Sequence, residues 1–379
     1  MLIIMTSPDA VLRSGAPDPK LVNVLIEAKR AGNPVALISN HVEPSWFQGV
    51  FGGSGVQFLQ ERGRQSGEVV SRNAERFKLN PFDVIVLAAK DVDVQMGKNG
   101  RALLVAAGAS AGNQVQSLGI RVRDADEFAQ VIQLTAGWSG HWWFSGNAPH
   151  YCVRALSDLS GYGKSITQQE FARRLTNTVK NGGARLNALL AVTARSLLMD
   201  GTDTVKNLVW GVYPSSQSAN DDSDTLCDFT HRLRTTVSRV RYAERGEPLF
   251  IRHTPSAKRS AGGGGDRTDP SGQIQTIHLN PRYNTGNQLR GKHVIVVDDC
   301  TTYGVSFGVA AAFLRKAGAA SVTGLALGKF GNQLRQYDID ILTDPFAPVM
   351  AGQYVLKSSE QLHGAANPAS QQVLQTLIS

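Results

Sequence analysis

The chain reads as an α/β protein of two domains, each organised on a parallel sheet. Three observations predict this. Short aliphatic runs alternate with stretches of helical periodicity along most of the sequence. Several of these runs end in polar clusters, the place where open parallel sheets gather their functional residues. The pattern halts at a segment rich in Gly and Trp, residues 137–150, and then begins again. A length of 379 residues suits two or three domains, and 42% hydrophobic with 18% charged residues is enough to fill sizeable cores.

Residues 1–136 open with an apolar strand, Leu2–Met5, and a turn at Thr6–Asp9. Pro19–Arg30 carries helical periodicity. Val35–Ile38 is a second strand, ending at Ser39-Asn40-His41, and Phe82–Ala88 a third, ending in Ala89-Lys90-Asp91-Val92-Asp93. Ala102–Ala106 and Ile120–Val122 follow as strands, and Asp126–Leu134 as a helix. In 137–150, Trp138, Trp142, Trp143 and Phe144 stand among glycines. Such a segment is expected as a linker wedged between domains or subunits; stacking on bases is the alternative. His141 and His150 are isolated and read as structural.

From Tyr151 the chain restarts with a strand over Tyr151–Leu156 and helices near Gln168–Val179 and Ala184–Met199. Leu208–Tyr213 is a strand running into the turn Pro214-Ser215-Ser216-Gln217-Ser218. Leu249–Ile251 leads into Arg252-His253-Thr254-Pro255-Ser256-Ala257-Lys258-Arg259-Ser260, then into a polar insertion with the run Gly262–Gly265 and Arg267. Ser321–Leu327 is a late strand, ending in Gly328-Lys329-Phe330-Gly331.

Between these lies the most informative stretch. Val294–Val297 is a buried strand; Asp298-Asp299 and Cys300-Thr301-Thr302-Tyr303-Gly304-Val305-Ser306 follow, then a helix over Gly308–Gly318. A turn at a helix N-terminus offers aligned backbone donors and the helix dipole to a phosphate. Paired carboxylates suit a ribose diol, or a pyrophosphate whose magnesium is reached through water. Together they describe a site for a phosphorylated sugar. The plainer alternative is a strand whose acids cap the next helix.

This stretch resembles the phosphoribosyl-pyrophosphate (PRPP) signature of type I phosphoribosyltransferases: aliphatic strand, two acids, two free positions, two hydroxyl residues, glycine. The resemblance implies that Asp298 and Asp299 bind the ribose hydroxyls, and that Cys300, Thr301, Thr302, Tyr303, Gly304 and Ser306 surround the 5′-phosphate. It implies a pyrophosphate loop at Ser215 and Ser216, and a flexible hood over PRPP with Lys258 and Arg259 as its basic contacts. Lys329 and Phe330 would meet the acceptor, and Mg2+ would accompany the substrate. Tyr303 departs from the pattern by replacing a threonine. The loop order looks most like the competence-protein subgroup.

The first half resembles a haloacid-dehalogenase-like (HAD-like) domain. Asp9 falls on the second aspartate of that family's first motif, Ser39 on its second motif, and Asp91 or Asp93 on its last. Lys78 or Lys90 would supply the basic residue. Ser7 stands at the nucleophile position, where an aspartyl-phosphate chemistry needs a carboxylate beside a metal. This half, 1–136, is therefore expected to keep the fold without phosphatase turnover. Pairing it with a phosphoribosyltransferase domain at 151–379 is similar to proteins of bacterial tellurite-resistance, stress and defence clusters.

Charge and cysteines bound the rest. Residues 1–136 hold 14 Lys+Arg against 13 Asp+Glu, and the remainder 25 against 18, out of a net charge of +8. The basic excess lies in the second half, where it would steer polyanions such as PRPP, nucleotides or RNA. Three cysteines without metal-ligand spacing, Cys152, Cys227 and Cys300, suit a reducing cytoplasm. No stretch approaches a membrane span. The preferred expectation is transfer of 5-phosphoribose from PRPP to a nitrogen acceptor, with release of pyrophosphate. The alternatives are a PRPP- or nucleotide-sensing protein without turnover and a nucleic-acid-associated effector. A homo-oligomer and partner proteins of a stress or defence system are compatible with any of the three.

Overall fold

The computed structural model describes every residue except 109, 111, 139–141, 183–184, 218–223, 239–246, 257–265 and 379; for 180, 377 and 378 it describes the backbone alone. The chain divides into two compact units. The first comprises residues 1–140, 184–204 and 231–244, the second 141–183, 205–230 and 245–379.

The first unit is built on six parallel strands: β1 (Ile3–Thr6), β4 (Val35–Ser39), β5 (Gln57–Gln60), β6 (Val84–Ala88), β7 (Leu103–Ala107) and β8 (Arg121–Val122), in the order β5-β4-β1-β6-β7-β8. A small hairpin, β2 (Leu12–Arg13) with β3 (Ala16–Pro17), follows β1. The central strands β1, β4 and β6 are buried throughout, so their aliphatic runs lack polar alternation. The order runs outward in both directions from β1 and β6, which opens a crevice at their C-terminal ends. The helix Pro19–Arg30 shows how local sequence serves this layer. Asp18 caps it by accepting from the Lys20 N–H, proline occupies its first position, and Leu21, Leu25 and Ala28 make the buried stripe. The helix Leu186–Met199, apolar on nearly every face, belongs to the same unit; its buried Arg195 pairs with Asp83 at 2.6 Å and donates to the Thr135 carbonyl.

The second unit carries a six-stranded sheet. Its strands are β9 (Phe144–Asn147), β10 (Cys152–Ala155), β11 (Leu208–Val212), β14 (His293–Thr301), β15 (Ser321–Lys329) and β18 (Gly364–Ala366), in the order β11-β14-β15-β10-β9-β18. The first four are parallel; β9 and β18 add antiparallel. Two antiparallel pairs complete it: β12 (Phe250–Arg252) with β13 (Ile277–Leu279), and β16 (Arg335–Ile341) with β17 (Tyr354–Gln361). The core is made by Val294, Val296, Phe307, Phe313 and Tyr337 among others. Gly324 on β15 lets the sheet meet the helix Val305–Lys316, because a Cβ there would lie 2.5 Å from the Phe307 ring. Register decides where function sits. Val212 pairs with Val297, and the Tyr213 N–H donates to the Val297 carbonyl, so the loop after β11 leaves the sheet beside Asp298–Thr301, the part of β14 that runs on past β11.

Some sequence expectations change. A short helix, Pro8–Val11, occupies the expected turn after β1, and a helix over Asp91–Gly100 begins at the acidic tail of β6. Strand β5 was not anticipated. Residues 137–150 do not form a linker where they are described: the helix Ala125–Gly137 reaches into them, Trp138 is buried with its indole N–H on Ser196 Oγ at 2.8 Å, and β9 is a sheet strand with Phe144 in the core. His141 lies outside the described residues, and His150 stands 3.5 Å from Asp338. The two units also exchange segments across the expected boundary, since 184–204 and 231–244 fold with the N-terminal half.

Candidate functional site

Strand β14 changes character along its length: His293 to Val297 serve the sheet, and Asp298, Asp299 and Cys300 form its half-buried polar end. The Asp298 carboxyl accepts from Ser306 Oγ at 2.7 Å and from the Asp299 N–H at 2.9 Å. The Cys300 N–H donates to Asp299 Oδ1 at 2.6 Å. Burial holds the Asp298 carboxyl well above the usual carboxylate range; the adjacent Asp299 charge adds to this, and the Ser306 hydroxyl offsets part of it. Thr301 is 97% buried by its 3% exposure, and its hydroxyl has no hydrogen-bond partner among the described residues.

The turn is fixed by Gly304, which has φ +78° and caps the helix Val305–Lys316. A side chain there would be strained twice, since its Cβ would also sit 2.8 Å from the Arg335 carbonyl oxygen. The Arg335 N–H in turn holds the Tyr303 carbonyl at 3.1 Å. The first N–H groups of the helix have no intrahelical acceptor, so the turn presents donors where the acids end.

A cavity of about 870 Å³ lies over this turn. Residues 298–306 line one part of it; Pro214, Ser215 and Ser216 line another, with Arg252, Arg267, Gln273 and Phe330. The Arg267 guanidinium lies over the Tyr303 ring, 5.5 Å from its centroid, a cation–π contact at the residue that replaces the expected threonine. The cavity thus combines three acids, Asp224 with Asp298 and Asp299, a donor-rich turn, a serine loop and two arginines.

The structure brings together Asp298, Asp299, Cys300, Thr301, Thr302, Tyr303, Gly304, Ser306, Ser215, Ser216 and Phe330. It does not bring Lys329, which is 2% exposed, to the cavity wall. Its ammonium sits against the rings of Trp143 and Phe144, donates to the Gly331 carbonyl, and is pushed below its ordinary pKa by burial. Ser306 is engaged with Asp298 rather than held open for a phosphate. Lys258 and Arg259 lie outside the described residues. Arg252 and Gln273 were missed; an arginine directly after a predicted strand is a signal, though a weak one.

At the crevice of the first unit, Ser7 is fully buried and its Oγ donates to Asp93 Oδ2 at 2.8 Å. That oxygen also accepts from the N–H groups of Ala89 and Lys90, while the other carboxylate oxygen pairs with Arg64 at 2.6 Å. Arg64, not singled out in the sequence, further donates to the Ile38 carbonyl. Asp9 pairs with Lys90 at the surface, Asp91 accepts from the Gln114 N–H, and Ser39 Oγ accepts from the His41 N–H. Lys78, the alternative basic residue, has φ +55°. A buried arginine and a fully buried aspartate therefore neutralise each other at the strand ends. Among the described residues no group of three or more His, Cys, Asp or Glu could hold a metal ion, and no helix is long and apolar enough to cross a membrane.

No protein-family model matches the chain, and no curated protein matches it significantly. Three solved structures share a slight likeness with it. One is a Lactobacillus delbrueckii subsp. bulgaricus protein described as a phosphoglycolate phosphatase, with 18% identity and a TM-score of 0.27 over 31% of this chain and 54% of that one. The chain therefore spans about half the length of that protein. The second is a deoxy-D-mannose-octulosonate 8-phosphate phosphatase from Haemophilus influenzae in a cobalt-bound form: 12% identity, TM-score 0.30, 37% of this chain and 91% of that one. The third is a UMP synthase from Leishmania donovani: 10% identity, TM-score 0.21, 88% of this chain and 86% of that one.

Proposed function

We propose that the second unit binds PRPP and transfers its 5-phosphoribosyl group to a nitrogen acceptor. The observation that carries this reading is the convergence of the Asp298–Asp299 pair, the Gly304 turn and the Ser215–Ser216 loop on one cavity. Asp298 and Asp299 accept from the ribose hydroxyls, with Ser306 holding Asp298 in place. The backbone of Cys300–Gly304 and the Thr302 hydroxyl hold the 5′-phosphate, with the buried Thr301 hydroxyl beneath it. Ser215 and Ser216 receive the diphosphate, and Phe330 offers a face for an acceptor base. The C1–O bond to the diphosphate breaks and its electron pair leaves with the diphosphate. The C1–N bond forms, and the acceptor nitrogen releases a proton. Positioning and electrostatic stabilisation of the leaving group are the protein's tasks.

The residues present fit magnesium carried in by the substrate: the carboxylates of Asp298 and Asp299 would hold such a hard cation through water. Magnesium bound in this way neutralises charge on the departing diphosphate. The first unit is read as non-catalytic, because Ser7 supplies no carboxylate and Asp93 is already committed to Arg64, Ser7 and two backbone donors.

A second reading, a PRPP sensor without turnover, is favoured by Tyr303, whose ring carries Arg267 instead of offering a short hydroxyl. The deciding experiment measures pyrophosphate release from PRPP and magnesium with a panel of purines, pyrimidines and amines. Acceptor-dependent release that disappears in Asp298→Asn/Asp299→Asn supports transfer. PRPP binding without release from any acceptor supports the sensor and contradicts transfer.

A further inference from the structure

One buried arginine is unexplained by the cavity's acids and turn. Arg252, at the end of β12 and 5% exposed, donates through Nε to the Ser215 carbonyl at 2.6 Å and through Nη2 to the Pro214 carbonyl at 3.2 Å. Two further donors are anchored on Thr276 Oγ1 at 2.7 Å and Gln273 Oε1 at 2.9 Å. Gln273 also accepts from the Tyr213 hydroxyl at 2.9 Å, and the Ser256 N–H takes the next carbonyl, that of Ser216, at 3.1 Å. Two consecutive carbonyls of the loop after β11 are thus held by one guanidinium, and the third by the Ser256 N–H.

The consequence follows from peptide geometry. In a trans peptide the C=O and the following N–H point in opposite directions. No cis peptide is present in the described residues. Drawing the carbonyls of Pro214, Ser215 and Ser216 toward Arg252 and Ser256 therefore turns the N–H groups of Ser215, Ser216 and Gln217 the other way. Among the described residues, the N–H groups of Ser215 and Ser216 meet no protein acceptor, and Ser215 is exposed at the cavity. Successive N–H groups presented in this way form an anion-binding concavity, and a guanidinium beneath it adds positive potential.

We infer that Arg252 is the positioning residue of a diphosphate-binding loop: it acts through the Pro214–Ser216 backbone, setting N–H groups to receive a diphosphate. This rests on the PRPP reading of the cavity, which already gives the diphosphate to Ser215 and Ser216, and adds to it the residue that sets their backbone. Among the described residues the Gly304 turn makes no such contact with Arg252, so a ligand held by that turn alone is independent of it.

The test titrates inorganic pyrophosphate, PRPP and ribose 5-phosphate, each with magnesium, into the full-length wild type, Arg252→Lys and Thr276→Val. Thermal melting is recorded for each protein. Lysine keeps the charge and loses the paired carbonyl contacts; Thr276→Val removes a single anchor of the guanidinium and guards against a variant that fails to fold. Expected is a loss of about tenfold or more in affinity for pyrophosphate and PRPP in Arg252→Lys, and a smaller loss in Thr276→Val, with ribose 5-phosphate unchanged in both. A merely structural role would weaken all three ligands together, and that result overturns the inference while leaving the phosphosugar site standing. Unchanged pyrophosphate affinity in both variants overturns it too, as does a wild type that binds ribose 5-phosphate but not pyrophosphate. A wild type that binds none of the three removes the PRPP reading and the inference together.

Discussion

Replacing Gly304 by alanine tests whether the turn is as tightly determined as its surroundings indicate. The residue sits at φ +78°, where an L-residue costs about 1–2 kcal/mol. Its Cβ would lie 2.8 Å from the Arg335 carbonyl oxygen, closer than a side chain approaches backbone, and 3.1 Å from Leu334 Cδ1, a tight side-chain contact. Relief requires tilting the Tyr303–Gly304 peptide, which pulls on the 3.1 Å bond from the Arg335 N–H to the Tyr303 carbonyl. A weakened hydrogen bond adds about 1 kcal/mol, so the total is roughly 2–3 kcal/mol. Gly286→Ala is the control: φ is +72° there, but nothing lies within 4 Å of the added carbon, so only the backbone strain of about 1–2 kcal/mol applies. Urea unfolding of both variants gives the difference. Gly304→Ala should also lose PRPP affinity, because the same tilt redirects the donors of the turn, and Gly286→Ala should not. Equal destabilisation of the two variants, with PRPP affinity intact in Gly304→Ala, would refute the reasoning.

Two further outcomes are expected. Asp298 is a carboxyl whose folded pKa is raised, so the native state keeps a proton that the unfolded chain releases; stability from this group is fully present below the ordinary carboxyl range and is lost as pH rises through its elevated value. At neutral pH, Asp298→Asn should therefore melt at a higher temperature than the wild type, and the gain should vanish in acid; a pH-independent difference between the two melting profiles would contradict this. In the first unit, Arg64→Ala leaves Asp93 buried without its counter-charge and should cost about 3–5 kcal/mol in urea unfolding, whereas a cost near zero would show the pair to be dispensable.

What could be read from the sequence follows physical lines. Runs such as Val35–Ile38 and Val294–Val297 announce strands because central parallel strands are buried on both faces. Strand β5, Gln57–Gln60, carries no such run, being an edge with exposed ends. The acids and the glycine of the turn were legible because they are contiguous. Arg252 was not, since its partners Pro214, Ser215, Gln273 and Thr276 are up to 38 residues away and meet it only when β11 and β12 are in place. Lys329 misled for a similar reason: it is the polar residue at the end of an apolar strand in sequence, but its side chain is taken by Trp143 and Phe144, residues read as linker. The allocation of 184–204 and 231–244 to the first unit left no mark in composition or spacing.

The measurement closest to the central claim is a calorimetric titration of PRPP with magnesium into the wild type and into Asp298→Asn/Asp299→Asn. The cavity as described predicts saturable, one-to-one binding by the wild type and none by the variant, with the variant folded by its melting profile. Equal binding by both proteins, or none by the wild type, would contradict it and leave the strand, acids and turn as scaffold.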